Sequence, residues 1–437
     1  MNPLNRRQFL GTVAAGAAAV APLPSLIAQV SSPISSGAPS KVVKIGLIGV
    51  GWYGMVNARA AFKAGGVDVV AICDVDSDHL EKSAVEIEKL QGRRPKTFKL
   101  YTDLLQTPGL EAIILSTPPQ WHALPFIAAL EKGLHVYLEK PVSYDVREGS
   151  AMVAAAAKRP NQVVQVGFQR RQSTAFKTVK QFIADGNIGQ VVQAEAQINF
   201  SAGLKSPVPE APPATLDWDL WCGPGPLIPY SPQVGHMSWR LEETSGQGHL
   251  YDWGIHLIDA ARVILGAAAP KTISAAGGLY RLQGKITTPD TMTAHFEYDR
   301  CPISWRHRLW GAEEYTPEIN NGVTFFGETG TVWVSDNKWV HIPKTKGAER
   351  KVTEVRTETG TVHMVEFLEA VRGNGKASCT IADAHLSTTA VKLAMIALKA
   401  GSKLTWDAKR EQIVGNPEAS KALKREYRAP WKHPHAG

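Results

Sequence analysis

The sequence predicts an α/β protein: a doubly wound parallel sheet followed by an α+β domain with a large, mostly antiparallel sheet. Three observations carry this. Strand-like and helix-like runs alternate over residues 41–165 at the spacing of successive βα units. A glycine turn, Gly49-x-Gly51-x-x-Gly54, joins the first apolar run to the first helical one. Beyond residue 166 the period becomes two, as in Val192, Ala194, Ala196, Ile198 and Phe200 alternating with Gln193, Glu195, Gln197 and Asn199.

At 437 residues the chain exceeds one typical core, so we expect a leader and linker over 1–40, one domain over 41–165 and a second over 166–437. Hydrophobic content of 44% and charged content of 20% are those of an ordinary globular protein. The formal charge is +8; residues 1–38 carry Arg6, Arg7 and no acid, leaving +6 without them. No basic cluster stands behind that excess, so nucleic acid is not an expected partner. Cys73, Cys222, Cys301 and Cys379 form no CxxC, which argues against a zinc or redox motif; a disulfide among the last three stays open.

Asn5-Arg6-Arg7-Gln8-Phe9-Leu10-Gly11, followed by an alanine-rich apolar stretch to about Ala21, resembles a twin-arginine export signal. The twin-arginine translocase is then an expected partner, and the location periplasmic or otherwise exported. That route carries folded proteins, often with a cofactor already bound. A working enzyme outside the cytoplasm should therefore hold its nucleotide and regenerate it within the cycle. Ser31 to Ser40 reads as a flexible linker.

The first strand, Val42 to Ile48, meets the glycine turn, and a helix follows from Tyr53 to Ala64, ending at Gly65-Gly66. Glycines suit a backbone that turns sharply and lies close to a pyrophosphate, and the helix N-terminus then faces the phosphates. Gly49, Gly51, Trp52, Tyr53 and Gly54 are thus candidate dinucleotide contacts. A second strand, Val67 to Cys73, ends in Asp74, twenty positions after Gly54. An acid there accepts from the adenosine ribose hydroxyls and favours NAD over NADP.

A helix starts near Ser77 or Asp78, with Glu81 placed for a capping box, and runs to about Leu90. Leu110 to Leu115 is a strand opening into Ser116-Thr117-Pro118-Pro119, and a helix follows from Trp121 to Lys132. His135 to Leu138 opens into Glu139-Lys140-Pro141. A helix from Asp145 to about Lys158, with Glu148 at the third position, and a strand Val163 to Val166 complete the set. Ligands of such sheets bind at the carboxyl ends of the strands. Asp74, Ser116, Thr117, Pro118, Glu139 and Lys140 lie at those ends.

GVGWYG, the Asp74 position, Ser116 to His122 (STPPQWH) and above all His135 to Pro141 (HVYLEKP) resemble the Gfo/Idh/MocA oxidoreductases. The resemblance covers nearly everything from residue 41 onward. It implies a Rossmann domain and a substrate domain that also carries oligomer contacts. It implies that Lys140 meets both the nicotinamide side and the reacting hydroxyl, across a cis Lys140–Pro141 bond. His122 is expected to shape the nucleotide pocket rather than perform chemistry.

Gly167 to Arg171 resembles the family's crossing into the substrate domain. Gln169 and Arg170 are candidate substrate contacts, or equally polar residues of a connecting helix. Residues 201–245 form a long proline- and tryptophan-rich excursion, and loops of that length are usually functional. Its indoles, Trp239 among them, suit the C–H faces of a sugar, although most tryptophans of this region are expected to fill a core.

Ser245 to Asp259 carries the second chemical pattern. Asp252 and His256 stand at i and i+4, which on an α-helix is one face. A carboxylate there would orient the imidazole and raise its basicity for proton removal from an alcohol. The stretch resembles the family's Gly-x-x-x-Asp-x-Gly-x-His pattern, with Gln247 where a glycine is often found. His249 is a further acid/base candidate or only a loop residue. A third well-placed ligand is missing, so no metal is expected.

The expectation is hydride transfer between a tightly held NAD and a hydroxyl carbon of a sugar, cyclitol or glycoside, with Lys140, Asp252 and His256 as the catalytic set. A redox-neutral glycoside hydrolase or lyase, acting through a transient keto-sugar, shares that first step. A non-catalytic nucleotide-binding protein is the third reading. A homo-oligomer, formed through the face of the second sheet, is expected.

Overall fold

In the computed structural model the described residues are 41–312 and 320–435; the twin-arginine stretch and the linker to Ser40 lie outside them. The first sheet is built as the alternation requires. Its strands are β1 (Val43–Ile48), β2 (Val67–Cys73), β3 (Lys96–Phe98), β4 (Ala112–Leu115), β5 (His135–Leu138) and β6 (Val164–Val166). They run in the order β3-β2-β1-β4-β5-β6, every neighbouring pair parallel. Between them lie α1 (Trp52–Ala64), α2 (Ser77–Gln91), the single turn α3 (Tyr101–Leu104), α4 (Ala123–Glu131) and α5 (Val146–Ala157). β3 and α3 were not expected: three and four residues are too few to show a period.

Caps explain where the helices begin. Asp145 caps α5 by accepting from the Glu148 N–H at 2.7 Å, as its sequence position predicts. At α2 the cap is Asp76, which accepts from the Asp78 N–H at 2.9 Å. The expected Asp78–Glu81 box does not form, and Glu81 pairs with Arg94 at 2.6 Å instead.

The second sheet has ten strands: β7 (Val191–Asn199), β8 (Thr272–Gly278), β9 (Thr291–Glu297), β10 (Ile303–Arg308), β11 (Asn321–Gly327), β12 (Gly330–Val334), β13 (Lys338–Pro343), β14 (Lys351–Glu354), β15 (Leu404–Asp407) and β16 (Gln412–Val414). All its pairings are antiparallel except β7 with β10. Helices α6 (Thr174–Ala184), α7 (Trp218–Cys222), α8 (Ile255–Leu265), α9 (Thr359–Val371), α10 (Ile381–Ala400) and α11 (Pro417–Lys421) complete the chain.

The change at residues 165/166 is a change of sheet, not of core. One buried cluster runs from Leu115 and Leu138 of the first sheet through Phe168 to Ile255, Ile303 and Val391. α9 returns to the first sheet and packs on α1, burying Met364, Phe367 and Leu368 among Val43, Ile45 and Ala58. Burial of each such side chain is worth roughly 2 kcal/mol. α10 is apolar enough in length and composition to cross a membrane, but it is wedged between α5, α8 and β8, which accounts for its apolar faces. All four cysteines are buried and free.

Candidate active site

The glycine turn packs too tightly for side chains. Gly49 has φ +83°, and a Cβ there would stand 2.9 Å from the Ser116 backbone; a Cβ on Gly54 would stand 1.9 Å from the Gly49 carbonyl oxygen. α1 therefore starts against the ends of β1 and β4, with its N-terminus open to a cavity of about 330 Å³. Gly49, Gly51, Trp52, Tyr53 and Gly54 line it, as do Asp74, Ser116, Thr117 and Pro118 from the neighbouring strand ends. Asp74 accepts from the Val50 N–H (2.9 Å) and the Asp76 N–H (3.0 Å), tying the glycine turn to the end of β2. Burial pushes its carboxyl up. The Thr117 hydroxyl is buried without a partner. A cradle closed to Cβ atoms at a helix N-terminus, an acid at the second strand end and an orphaned hydroxyl fit a dinucleotide.

The roof of this cavity comes from outside the first sheet. Leu216, Trp221, His236, Trp239 and Arg240 of the excursion line it, and so does Trp431 of the tail. The excursion has its own small core, with Trp218 stacked on Trp221 at 4.5 Å and Tyr230 edge-on at 5.0 Å. It is pinned beside Asp74 by Ser77 N–H to Thr215 O (2.9 Å), Asp217 N–H to Val75 O (3.1 Å) and His236 to Asp76 (3.2 Å). The tail pins it from the other side. Arg428 reaches Asp219 at 2.6 Å, Arg425 is buried on Glu148 at 2.8 Å, and Trp431 meets Trp121 edge-on.

The Glu139-Lys140-Pro141 loop leaves β5 with a cis Lys140–Pro141 bond. Glu139 is buried, accepting from Asn57 and Gln169 at 2.9 Å each. Burial raises its carboxyl to about 7, against the lowering effect of Lys140 and its hydrogen bonds. Asn57 also donates to the Ser116 hydroxyl at 3.0 Å, so one polar residue on α1 joins two strand ends. The ring nitrogens of His122 lie 2.7 Å from Pro141 O and 2.9 Å from Thr117 O, bracing the two loops. Burial pulls that imidazole down to about 4, so in the neutral ring one of these contacts carries the proton.

Lys140 crosses to the second half of the chain, donating to the Asp252 carboxylate at 2.8 Å and its carbonyl at 2.6 Å. Arg240 holds the other carboxylate oxygen at 3.1 Å. Burial pushes Asp252 up, but Lys140 and Arg240 together outweigh it and keep it below the usual range. The expected pairing of Asp252 with His256 is not formed. Residues Leu250–Gly254 make a π-turn before α8, so i and i+4 do not share a face here. His256 instead meets Phe168 edge-on at 5.9 Å, with Nδ1 buried and unpartnered. Burial, then the charges of Lys140 and Arg170, push it well below its ordinary value. It is a neutral imidazole beside the lysine, and Asp252 serves Lys140 rather than His256.

The proposed substrate contacts are placed unequally. Trp239 lines the cavity with the Arg240 guanidinium 4.5 Å above its ring. Gln169 is spent on Glu139 and Tyr137, and Arg170 is buried against Asp336 at 2.8 Å. His249 sits among Phe200, Trp305 and His307, and burial pushes it well below its ordinary value. Gln247 adopts φ +58° and is held there by its amide, which donates to Tyr144 O at 2.6 Å and accepts from Lys392. That is how a side chain stands where a glycine is often found.

Sequence reasoning missed Asn57 and Arg240. A polar residue on the buried face of α1 was the available signal for Asn57. Arg240 had none, because its partner lies across an irregular loop.

Two family models match the chain: the oxidoreductase family with NAD-binding Rossmann fold over residues 43–168, and its C-terminal alpha/beta domain over 173–433. Inositol 2-dehydrogenase of Salmonella typhimurium is 30% identical over 173 residues, 38% of this chain and 48% of that one. The alpha-N-acetylgalactosaminidase of Shewanella oneidensis is 29% identical over 218 residues, 45% of this chain and 46% of that one. The chain thus spans about half the length of the curated relatives it matches. Among solved structures, levoglucosan dehydrogenase in complex with NADH and levoglucosan superposes with a TM-score of 0.65 at 18% identity, covering 84% of this chain and 99% of that one. Scyllo-inositol dehydrogenase from Lactobacillus casei, with NAD(H) and scyllo-inositol, gives 0.63 at 18%, covering 84% and 99%.

Proposed function

Because the chain belongs to the Gfo/Idh/MocA oxidoreductase family, we propose that it moves hydride between a tightly held NAD and a hydroxyl carbon of a sugar, cyclitol or glycoside. The observation that carries this reading is Lys140 on Asp252, a pair joined through Arg240 to the cavity that the glycine cradle lines. A cation is thereby fixed where an alkoxide would develop. NAD, when bound, supplies the hydride acceptor. The glycine turn, Asp74 and the Ser116–Pro118 loop hold it. Lys140, oriented by Asp252, binds the reacting hydroxyl and stabilises its developing charge. Neutral His256 takes the proton. Trp239 offers an apolar face to the ring of the substrate. The roof of excursion and tail excludes water and retards loss of the nucleotide.

The similarity to an alpha-N-acetylgalactosaminidase favours one second reading, a redox-neutral hydrolase that begins with the same oxidation. The protein as purified, with no added cofactor, separates the two. Offered free sugars and glycosides, a dehydrogenase reduces its nucleotide once and stops. A redox-neutral hydrolase cleaves glycosides repeatedly without net reduction. If denaturation releases no nucleotide and neither reaction occurs, the proposal fails.

Export through the twin-arginine pathway to the periplasm, or its equivalent, belongs to the same proposal and rests on Arg6, Arg7 and the apolar stretch after them. Retention of tight NAD is consistent with it. A homo-oligomer is proposed through the open face of the second sheet, where the row Ser274, His295, Ser304 and Glu195 presents polar side chains across four strands.

A further inference from the structure

A dinucleotide brings two negative charges to the N-terminus of α1, and the glycine turn meets them with backbone alone. Among the described residues lining that cavity, the cationic side chains are Lys99 and Arg240, beside two imidazoles, His79 and His236. Lys99 is committed to Asp217 at 2.5 Å. Arg240 is placed differently. Its Nε pairs with Asp252 and its Nη1 donates to Met237 O at 3.1 Å, while no described residue accepts from Nη2. Its guanidinium lies over Trp239 and 5.6 Å from the ring centre of Trp52, the first residue of α1. It therefore stands between the phosphate end of the cradle and the Lys140–Asp252 pair.

Asp252 is shared by two cations, and the neighbouring Glu139 carboxyl, raised to about 7 by burial, offers Lys140 only a partial second charge. One buried carboxylate serves two cations, and Lys140 alone neutralises it with two hydrogen bonds, to its carboxylate and its carbonyl. Arg240 keeps 20% of its side chain exposed and lines the cavity, so a second anion can join it there. A diphosphate is such an anion, and guanidinium binds phosphate oxygens in a forked, charge-assisted geometry.

We propose that Arg240 is a phosphate-binding residue of the dinucleotide site that leaves Asp252 for the pyrophosphate when the nucleotide binds. The excursion then contributes directly to cofactor binding. Loading the nucleotide frees one oxygen of Asp252 and leaves that carboxylate to Lys140 alone. This rests on the nucleotide reading above.

The test is calorimetric titration of the nucleotide-free full chain with ADP-ribose, which carries the diphosphate, and with adenosine, which does not. Arg240→Met should weaken ADP-ribose about tenfold or more and leave adenosine unchanged. Arg240→Lys, which keeps the charge and loses the fork, should fall between. Asp252→Asn removes the competing anion and should tighten ADP-ribose several-fold with Arg240 present, and not in the Arg240→Met background. That second comparison stands even if one arginine variant folds poorly. Equal losses for both ligands would mean that Arg240 only shapes the roof, and unchanged ADP-ribose binding would mean that it serves Asp252 alone; either overturns the proposal. A wild-type chain that binds neither ligand would instead overturn the nucleotide reading, and this inference with it.

Discussion

Lys140 and Asp252 are 112 positions apart and meet at 2.8 Å, so the chemistry of this site is a matter of single side chains. Removing the ammonium leaves the glycine turn, Asp74 and the Ser116–Pro118 loop in place, so the cradle should survive. Lys140→Met is expected to keep the nucleotide and lose at least about a hundredfold in turnover, read from nucleotide content and sugar oxidation in the same preparation. Asp74 acts at the other end. Asp74→Ala removes the acceptor of the Val50 and Asp76 N–H groups as well as the acceptor proposed for the ribose. The nucleotide should then dissociate at least about tenfold faster, measured by release after gel filtration. An unchanged rate would take Asp74 off the ribose.

The proposed retention of the nucleotide is a matter of whole elements. The excursion is held between the β2–α2 loop and the tail, and Arg428 fastens it to the tail, bonded to Asp219 and to the carbonyls of Gly223 and Gly225. Arg428→Ala should loosen the roof without touching the cradle. We expect several-fold faster nucleotide loss with an unchanged first turnover on preloaded protein; an unaltered loss rate would show that the tail does not retain the nucleotide. Removing the whole tail is a poorer test. It would strand Glu148, whose partners Arg425 and Tyr427 come from that segment. A carboxylate left buried without its partner costs about 3 kcal/mol or more.

Across the whole molecule, buried histidines set the response to acid. Burial lowers His307 to about 4 and His363 to about 3, and pushes His249 and His256 well down. For His307 the neutral tautomer is fully used: Trp305 Nε1 donates to Nδ1 at 2.9 Å, and Nε2 donates to Pro289 O at 3.1 Å. A depressed group contributes stability that is complete above its unfolded value of about 6.5 and is lost as pH falls through its folded value, up to roughly 3 kcal/mol each. Glu139 runs the other way. Raised to about 7, it favours the fold below its unfolded value and loses that contribution as pH rises through 7. Over the shared window it offsets about one histidine such as His122, and the others prevail. The melting temperature should therefore fall steadily from pH 6.5 to pH 4, and His307→Gln should flatten that slope in thermal melts. A slope identical to wild type would show that His307 does not charge on unfolding.

Local chemistry determined a great deal from the sequence alone. The glycine spacing, the acid twenty positions on, the strand-end loops and the period-two runs lie within short windows, where pattern and backbone sterics act directly. The doubly wound sheet, the glycine turn and the strand-end place of Lys140 were accordingly legible, as was the full extent of α10. The partnership of Asp252 was not, because i,i+4 spacing implies a shared face only on an α-helix, and the π-turn over Leu250–Gly254 shifts the register. Gln169, Arg170 and His249 carry polar groups suited to a ligand, yet their partners Glu139, Asp336 and the Phe200–Trp305–His307 cluster come from distant strands and loops. The roof of the nucleotide cavity and the place of Arg240 in it were likewise decided by tertiary packing. Which buried charge meets which depends on chain segments brought together by packing, 112 residues apart for Lys140 and Asp252 and 166 for Arg170 and Asp336, and no local pattern encodes that.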